Sequence, residues 1–133
     1  MTIQEFLDKQ TRECRILFQT LNKLILDYDK LVTVEVGSIM SVKEAFVYKQ
    51  DDVFKYGLTA TKNYFSYHSM VMYAFPEVLD TFKRQSKGIV FQKGCFNFNT
   101  LESINISSFR LFLEASSQRD FSPVIKHYKQ KKK

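Results

Sequence analysis

The chain of 133 residues has no tryptophan and contains only four glycines, two prolines and two cysteines. The scarcity of glycine and proline argues against a disordered or low-complexity chain, and this length can bury a core without a metal or a disulfide. Cys14 and Cys95 lie far apart and form no CxxC pair, which excludes a thiolate zinc site. We therefore expect one folded domain with two reduced, buried thiols.

Long apolar runs are also absent. No stretch approaches the roughly 18 apolar residues of a membrane-spanning helix. The first ten residues, MTIQEFLDKQ, lack the basic and apolar regions of a secretion signal. We therefore expect a cytoplasmic protein without a membrane partner.

The sequence contains few residues and motifs that are typical of catalytic sites. The two histidines are His68 and His127, and the sequence has neither a glycine-rich phosphate loop nor a Ser-His-Asp order in a strand-turn-helix setting. Carboxylates are interleaved with lysines and arginines, so we predict no cofactor and leave metal ligands unassigned. The sequence favours a protein that is not an enzyme, with general acid–base catalysis by Lys62, His68 or Tyr67 as the alternative.

Positive charge is concentrated at the end of the chain. Residues 119–133 hold six basic residues and one acid, so they carry +5 of the +6 net charge. Pro123 and the lysine run predict a flexible basic tail at 119–133, which leaves a nearly neutral single domain at 1–118.

Hydrophobic periodicity predicts an α+β fold. Residues 2–28 show a helical apolar stripe, and Thr2 with Glu5 has capping-box spacing. The period then changes to two, which predicts strands within 31–37, 44–49, 53–60, 64–73 and 88–98. Further helices are expected at 75–85, begun by Pro76, and at 99–117. We expect a curved antiparallel sheet of about five strands with N-terminal and C-terminal helices packed on it.

The stretch YGLTATKNYFSYHSMVMY predicts a hairpin that turns at Lys62–Asn63. A tight turn there pairs Ala60 with Phe65, Leu58 with Tyr67 and Tyr56 with Ser69 on an apolar face. The opposite face is polar, with Lys55 on it and His68 across from Gly57. Because glycine leaves room above the sheet, a small polar patch is expected around His68.

Three segments resemble the YdhG-like bacterial proteins, the domain-of-unknown-function family 1801: ATKNYFSYHS, FPEVLDTFKRQ and FQKGCFNFNTLESI. The resemblance covers roughly residues 30–115 and implies a compact α+β domain. Some members of that family are similar to frataxins and have been proposed as intracellular iron chaperones. Tyr64 stands where the family often has histidine, and Asn97 where it often has arginine.

From the resemblance and the residue patterns we predict non-catalytic binding of a small ligand, a metal or a protein partner. The predicted ligand-binding residues are Lys62, Tyr64, His68, Lys87 and Lys93, which match or adjoin the family's Lys-Asn and Lys-Gly motifs. The alternative is weak nucleic-acid binding through the basic tail and exposed sheet aromatics, which the near-neutral domain does not favour. Both a monomer and a homodimer are compatible with the sequence.

Overall fold

The structure is a computed structural model that describes residues 1–131. Its helices are α1 (Ile3–Asp8), α2 (Arg12–Tyr28), α3 (Met70–Ala74), α4 (Asp80–Arg84), α5 (Ile106–Ser117) and α6 (Ser122–Lys131). Its strands are β1 (Thr33–Ile39), β2 (Val42–Gln50), β3 (Val53–Ala60), β4 (Phe65–Ser69), β5 (Val90–Phe91) and β6 (Cys95–Phe98). Single 3-10 turns at Pro76–Leu79 and Leu101–Ser103 precede α4 and α5.

The strands form one antiparallel sheet in the order β1-β2-β3-β4-β6-β5, which confirms the α+β class. The sheet of the described chain has six strands instead of about five. The segment 88–98, expected as one strand, is a short hairpin, because the chain reverses between Phe91 and Cys95. None of the described helices is long and apolar enough to cross a membrane.

The first predicted helix is two helices. The capping box of Thr2 and Glu5 is present at the start of α1, but α1 ends at Asp8. Thr11 then caps α2, where its side chain accepts a hydrogen bond from the Cys14 backbone nitrogen at 3.2 Å. A threonine hydroxyl that satisfies the first free N–H groups of a helix favours a new start at this position.

Two other boundaries differ from the sequence prediction. Strand β4 ends at Ser69, whose hydroxyl accepts from the Met72 backbone nitrogen at 3.0 Å and caps α3, so residues 70–73 are helical. The last predicted helix begins later than expected, because Asn105 caps α5 through the Ser108 nitrogen. Both segments have polar residues that bond locally to the backbone and interrupt the longer element.

Helices α2 and α5 cover the apolar face of the sheet. On the α2 side, the Phe18 ring meets the Phe46 ring edge-on at 5.0 Å. On the α5 side, the Tyr67 ring meets Phe109 edge-on at 5.4 Å. These aromatic contacts join both helices to one hydrophobic core, as the alternating strand pattern predicted.

The β3–β4 hairpin has the predicted register. Leu58 pairs with Tyr67, Ala60 with Phe65 and Gly57 with His68. The Thr61 nitrogen donates to the Tyr64 carbonyl at 2.9 Å, which closes the turn over Lys62 and Asn63. The opposite faces of this hairpin are therefore apolar and polar, and the helices lie on the apolar one.

Lys55 was placed on the polar face, and that prediction is wrong. Between the pairs Tyr48–Tyr56 and Lys49–Phe54, strand β3 has one extra residue, so a β-bulge lies at Lys55. A bulge interrupts the alternation of side chains. The Lys55 side chain is fully buried and its ammonium nitrogen lies 2.7 Å from Asp29 Oδ2.

The structure also differs from the prediction of a flexible tail at residues 119–133. Residues 122–131 form α6, and Phe121 and Ile125 are buried in the core. The Phe121 ring centre lies 5.1 Å from the Lys55 nitrogen, while Lys126 and Lys129 are exposed. The segment is an amphipathic helix with its apolar side on the domain, and Lys132 and Lys133 lie outside the described residues.

Candidate functional site

Polar side chains from three neighbouring strands lie side by side on the polar face of the sheet. Thr59 of β3 pairs with Ser66 of β4, and Ser66 pairs with Asn97 of β6. His68 lies two residues along β4 and pairs with Cys95. Because side chains alternate along a strand, these registers bring all five side chains to the same face.

Hydrogen bonds fix the orientation of this row. Thr59 Oγ1 lies 3.1 Å from His68 Nε2, and the Ser66 hydroxyl donates to Asn97 Oδ1 at 2.5 Å. The amide nitrogen of Asn97 and the Nδ1 atom of His68 form no hydrogen bond with another described residue. The Asn97 amide nitrogen and the His68 Nδ1 atom are therefore available to a ligand.

The connection between β1 and β2 lies beside this row. Ile39, Met40, Ser41 and Val42 form one wall of a cavity whose other walls include Thr59, Tyr64, Ser66, His68 and Asn97. We call this cavity the polar-face pocket. Its volume is about 150 Å³, which corresponds to roughly five water molecules at liquid density. This volume is about half the lower bound of the roughly 300–1,000 Å³ that is usual for small-molecule sites, so it limits the pocket to a very small ligand.

The polar-face pocket is electrically neutral. None of its described lining residues is Lys, Arg, Asp or Glu. Burial lowers the pKa of His68 below its ordinary value of 6.5, so the imidazole is neutral near pH 7. Burial also raises the pKa of the Cys95 thiol, which donates to Gln92 Oε1 at 3.2 Å and stays protonated. Cys95 is half-buried, whereas Cys14 is buried as expected.

Of the five predicted ligand-binding residues, the structure brings two together. Tyr64 and His68 both line the polar-face pocket. Lys62 is exposed in the β3–β4 turn, Lys87 is exposed after α4, and Lys93 is exposed between β5 and β6. These three lysines do not line the polar-face pocket, and their role in ligand binding stays a prediction.

Thr59, Ser66 and Asn97 were not among the predicted ligand-binding residues. In the sequence, each of these three residues is next to a buried or aromatic residue of its strand. Because side chains alternate along a strand, its own side chain lies on the opposite face. The alternation by itself is sufficient to place Thr59 and Ser66 on the polar face. The strand order, which adds Asn97 and the β1–β2 connection, was needed to show that they meet in one pocket.

The space expected above Gly57 is filled. A Cβ atom at Gly57 would overlap Ile39 Cδ1 and would lie 3.1 Å from the ring of Phe54. Together with Ala45 and Val47, these side chains form a small apolar cluster on the polar face. Glycine at this position therefore permits close packing, and the cavity lies on the other side of His68, toward Thr59 and Ser66.

The pair of Thr59 and His68 has the distance of a nucleophile and its base. Thr59 is buried, however, and no carboxylate of residues 1–131 forms an ion pair or a hydrogen bond with the His68 ring. Tyr67, the alternative acid–base residue, is fully buried in the core, and burial raises its pKa. The described chain therefore offers the His68 ring no carboxylate that would orient it for proton transfer.

Within residues 1–131, no three His, Cys, Asp or Glu side chains are grouped closely enough to hold a metal ion. No protein-family model, curated protein or solved structure matches the chain. The resemblance to the YdhG-like family and the iron-chaperone role that it implies therefore stay predictions.

Proposed function

We propose that the protein is a non-catalytic binding protein for a small, uncharged, polar molecule in the polar-face pocket. The observation that carries this proposal is the neutral row of Thr59, Ser66, His68 and Asn97, in which two polar groups have no partner among the described residues. Hydrogen bonds that are held in place before binding give specificity without reorganisation of the site.

Because none of the described lining residues is charged, the pocket favours an uncharged ligand. A charged group that enters a partly buried site without a counter-charge loses solvation that the site does not replace. An uncharged ligand with hydrogen-bonding groups loses less, because the Asn97 amide and the His68 ring replace its water. We therefore favour neutral molecules such as nucleobases, sugars or small amides over carboxylates and amines.

The two walls of the pocket differ in polarity. Ile39, Met40 and Val42 supply apolar surface on one side, and the hydroxyl and amide row lies on the other. A small ring with one polar edge and one apolar edge fits this division. The polar edge would face Ser66 and Asn97, and the apolar edge would face the β1–β2 connection.

A thermal-unfolding screen that compares neutral nucleobases, monosaccharides and small amides with charged carboxylates and amines tests the proposal. We expect at least one neutral compound to raise the midpoint of unfolding, since a ligand that binds only the folded state stabilises it. Asn97→Leu should abolish this shift, because it removes the free amide donor. Asn99→Leu, the same substitution at an exposed position two residues away, should retain the shift.

Two outcomes would contradict the proposal. The first is a panel in which only charged compounds stabilise the protein. The second is a neutral compound whose effect is the same in Asn97→Leu as in the wild-type protein.

Weak nucleic-acid binding remains the second proposal, and one observation favours it. The exposed side of α6 presents Lys126 and Lys129, so a basic surface exists even though the segment is packed on the domain. Lys126→Gln together with Lys129→Gln should reduce salt-dependent binding to single-stranded DNA without loss of stability. Equal DNA binding by the double variant and the wild-type protein would exclude α6 as the interface.

A further inference from the structure

A larger cavity lies on a different part of the surface, between α3, α4 and the β5–β6 hairpin. Its volume is about 720 Å³, within the range of roughly 300–1,000 Å³ that is usual for small-molecule sites. Its polar and aromatic lining residues include Tyr73, Asp80, Lys83, Phe91 and Lys93. We call this cavity the Tyr73 groove.

The Tyr73 groove has an excess of positive charge. Its charged lining residues are two lysines, Lys83 and Lys93, and one acid, Asp80. None of the three forms an ion pair with a residue of the described chain. The Lys83 nitrogen lies 5.8 Å from the centre of the Phe91 ring, which holds the ammonium at the wall of the groove. Two lysines and one acid, none of them in an ion pair within the described chain, leave the lining with a net positive charge that favours an anionic ligand.

An exposed aromatic ring lies at the same cavity. The Tyr73 side chain is 56% exposed, which is high for an aromatic residue of this protein. Its ring lies against Gly94, where an added Cβ would be 3.7 Å from Tyr73 Cδ2. The ring is thus exposed beside Gly94 at the cavity, and an exposed aromatic ring suits stacking with a planar group.

We propose that the Tyr73 groove is a second site, which binds a mononucleotide. The base stacks on Tyr73, and the phosphate is held by Lys83 and Lys93. A phosphate joined to an aromatic base also occurs along a nucleic-acid strand. The ligand of this site is the free nucleotide. This cavity is distinct from the polar-face pocket, because Gln92 is the single described lining residue that the two have in common.

The test is calorimetric titration of the full chain at low salt with adenosine monophosphate, adenosine and inorganic phosphate. Adenosine monophosphate should bind at least about tenfold more tightly than either part, since both the stacking and the charge contribute. Lys83→Gln and Lys93→Gln should each weaken its binding about tenfold, because each removes a charge-assisted hydrogen bond.

Three further variants distinguish binding in the Tyr73 groove from nonspecific electrostatic attraction to the protein. Lys30→Gln removes the same charge at an exposed position outside the groove, and it should leave the dissociation constant unchanged. Asp80→Asn should tighten the binding of adenosine monophosphate, because it removes the acid of the groove. Tyr73→Ala should weaken the binding of adenosine monophosphate and leave that of phosphate unchanged.

The proposal is overturned if adenosine binds as tightly as adenosine monophosphate, if no binding occurs at millimolar nucleotide, or if Lys30→Gln weakens binding as much as Lys83→Gln. A single-stranded deoxyadenosine oligomer of about ten nucleotides distinguishes the two sources of the ligand. Equal affinity of the oligomer and the mononucleotide supports the free nucleotide. Much tighter binding of the oligomer, with the same dependence on Lys83 and Lys93, assigns the groove to a nucleic-acid strand and overturns the proposal.

Discussion

Lys55 and Asp29 form an ion pair of 2.7 Å in the interior of the protein, with both side chains almost completely buried. The Tyr56 hydroxyl donates to the same carboxylate oxygen at 2.8 Å, and Gln50 Oε1 accepts from the Lys55 nitrogen at 2.7 Å. The bulge at Lys55 lets two consecutive residues of β3, Lys55 and Tyr56, reach Asp29. The charges are thus paired and hydrogen-bonded, which is the condition under which buried ions are tolerated.

Removal of one partner should be costly. Lys55→Met leaves the Asp29 carboxylate buried without its counter-charge, so we expect a loss of about 3–5 kcal/mol in the free energy of unfolding. Lys9→Met, which removes a partner from the exposed pair with Glu44, should cost about 1 kcal/mol or less. Urea unfolding measures both, and equal small losses would contradict a structural role for the buried pair.

Helix α6 should be part of the folding unit. Phe121→Ala removes a buried ring that covers Lys55, and we expect it to lower the unfolding free energy by about 3–5 kcal/mol. Lys126→Ala, on the exposed side of the same helix, should leave stability nearly unchanged. If Phe121→Ala has wild-type stability, residues 119–131 do not pack on the domain in solution.

Stability should depend on pH through His68. Burial holds the pKa of folded His68 below 6.5, so the unfolded chain binds the proton more readily. Its contribution to stability is complete above pH 6.5 and is lost as the pH falls through the lower pKa of the folded state. His68→Gln should therefore flatten the dependence of the unfolding free energy on pH just below 6.5. Urea unfolding at several pH values measures this dependence, and a His68→Gln variant whose stability falls with pH as steeply as that of the wild-type protein would contradict the prediction.

Gly57 should not tolerate a methyl group. Gly57→Ala places a Cβ on Ile39 Cδ1 and beside the Phe54 ring, so we expect a loss of about 1–3 kcal/mol from overpacking. Ile39→Val removes the Cδ1 atom and should restore part of the loss in the double variant. Gly94→Ala is the matched control, since its Cβ would make only ordinary contacts. A Gly57→Ala variant as stable as the wild-type protein would exclude this packing.

The sequence predicted the β3–β4 register because two signals agreed there. Residues alternate between apolar and polar on both sides of Lys62–Asn63, and a two-residue turn permits only one pairing. The same alternation gave the wrong face for Lys55. A bulge adds one residue to one strand, and the sequence of that strand alone does not show it.

The misinterpretation of α6 had a different cause. Phe121, Val124, Ile125 and Tyr128 are spaced as one side of a helix, and the structure packs all four against the core. The lysines between and after them dominated the composition and suggested a solvated tail. Periodicity was the more reliable signal there, because it reflects which side chains can be buried together.

The candidate site could be predicted only in part. Tyr64 and His68 were predicted because they match or adjoin the Lys-Asn motif of the resembled family, and both line the polar-face pocket. Asn97 and the Ile39–Val42 wall come from strands that are distant in sequence, so only the strand order brings them to His68. A pocket built from non-local strand pairs requires the tertiary structure.

The most direct test of the account is a map of where a neutral ligand binds. Backbone amide signals of isotope-labelled protein would be followed by NMR during titration with the neutral compound that stabilises it most. The account predicts that the perturbed amides lie at Thr59, Ser66, His68 and Asn97 and in the β1–β2 connection. Perturbations confined to other surfaces, with these residues unchanged, would contradict the assignment of the polar-face pocket as the binding site.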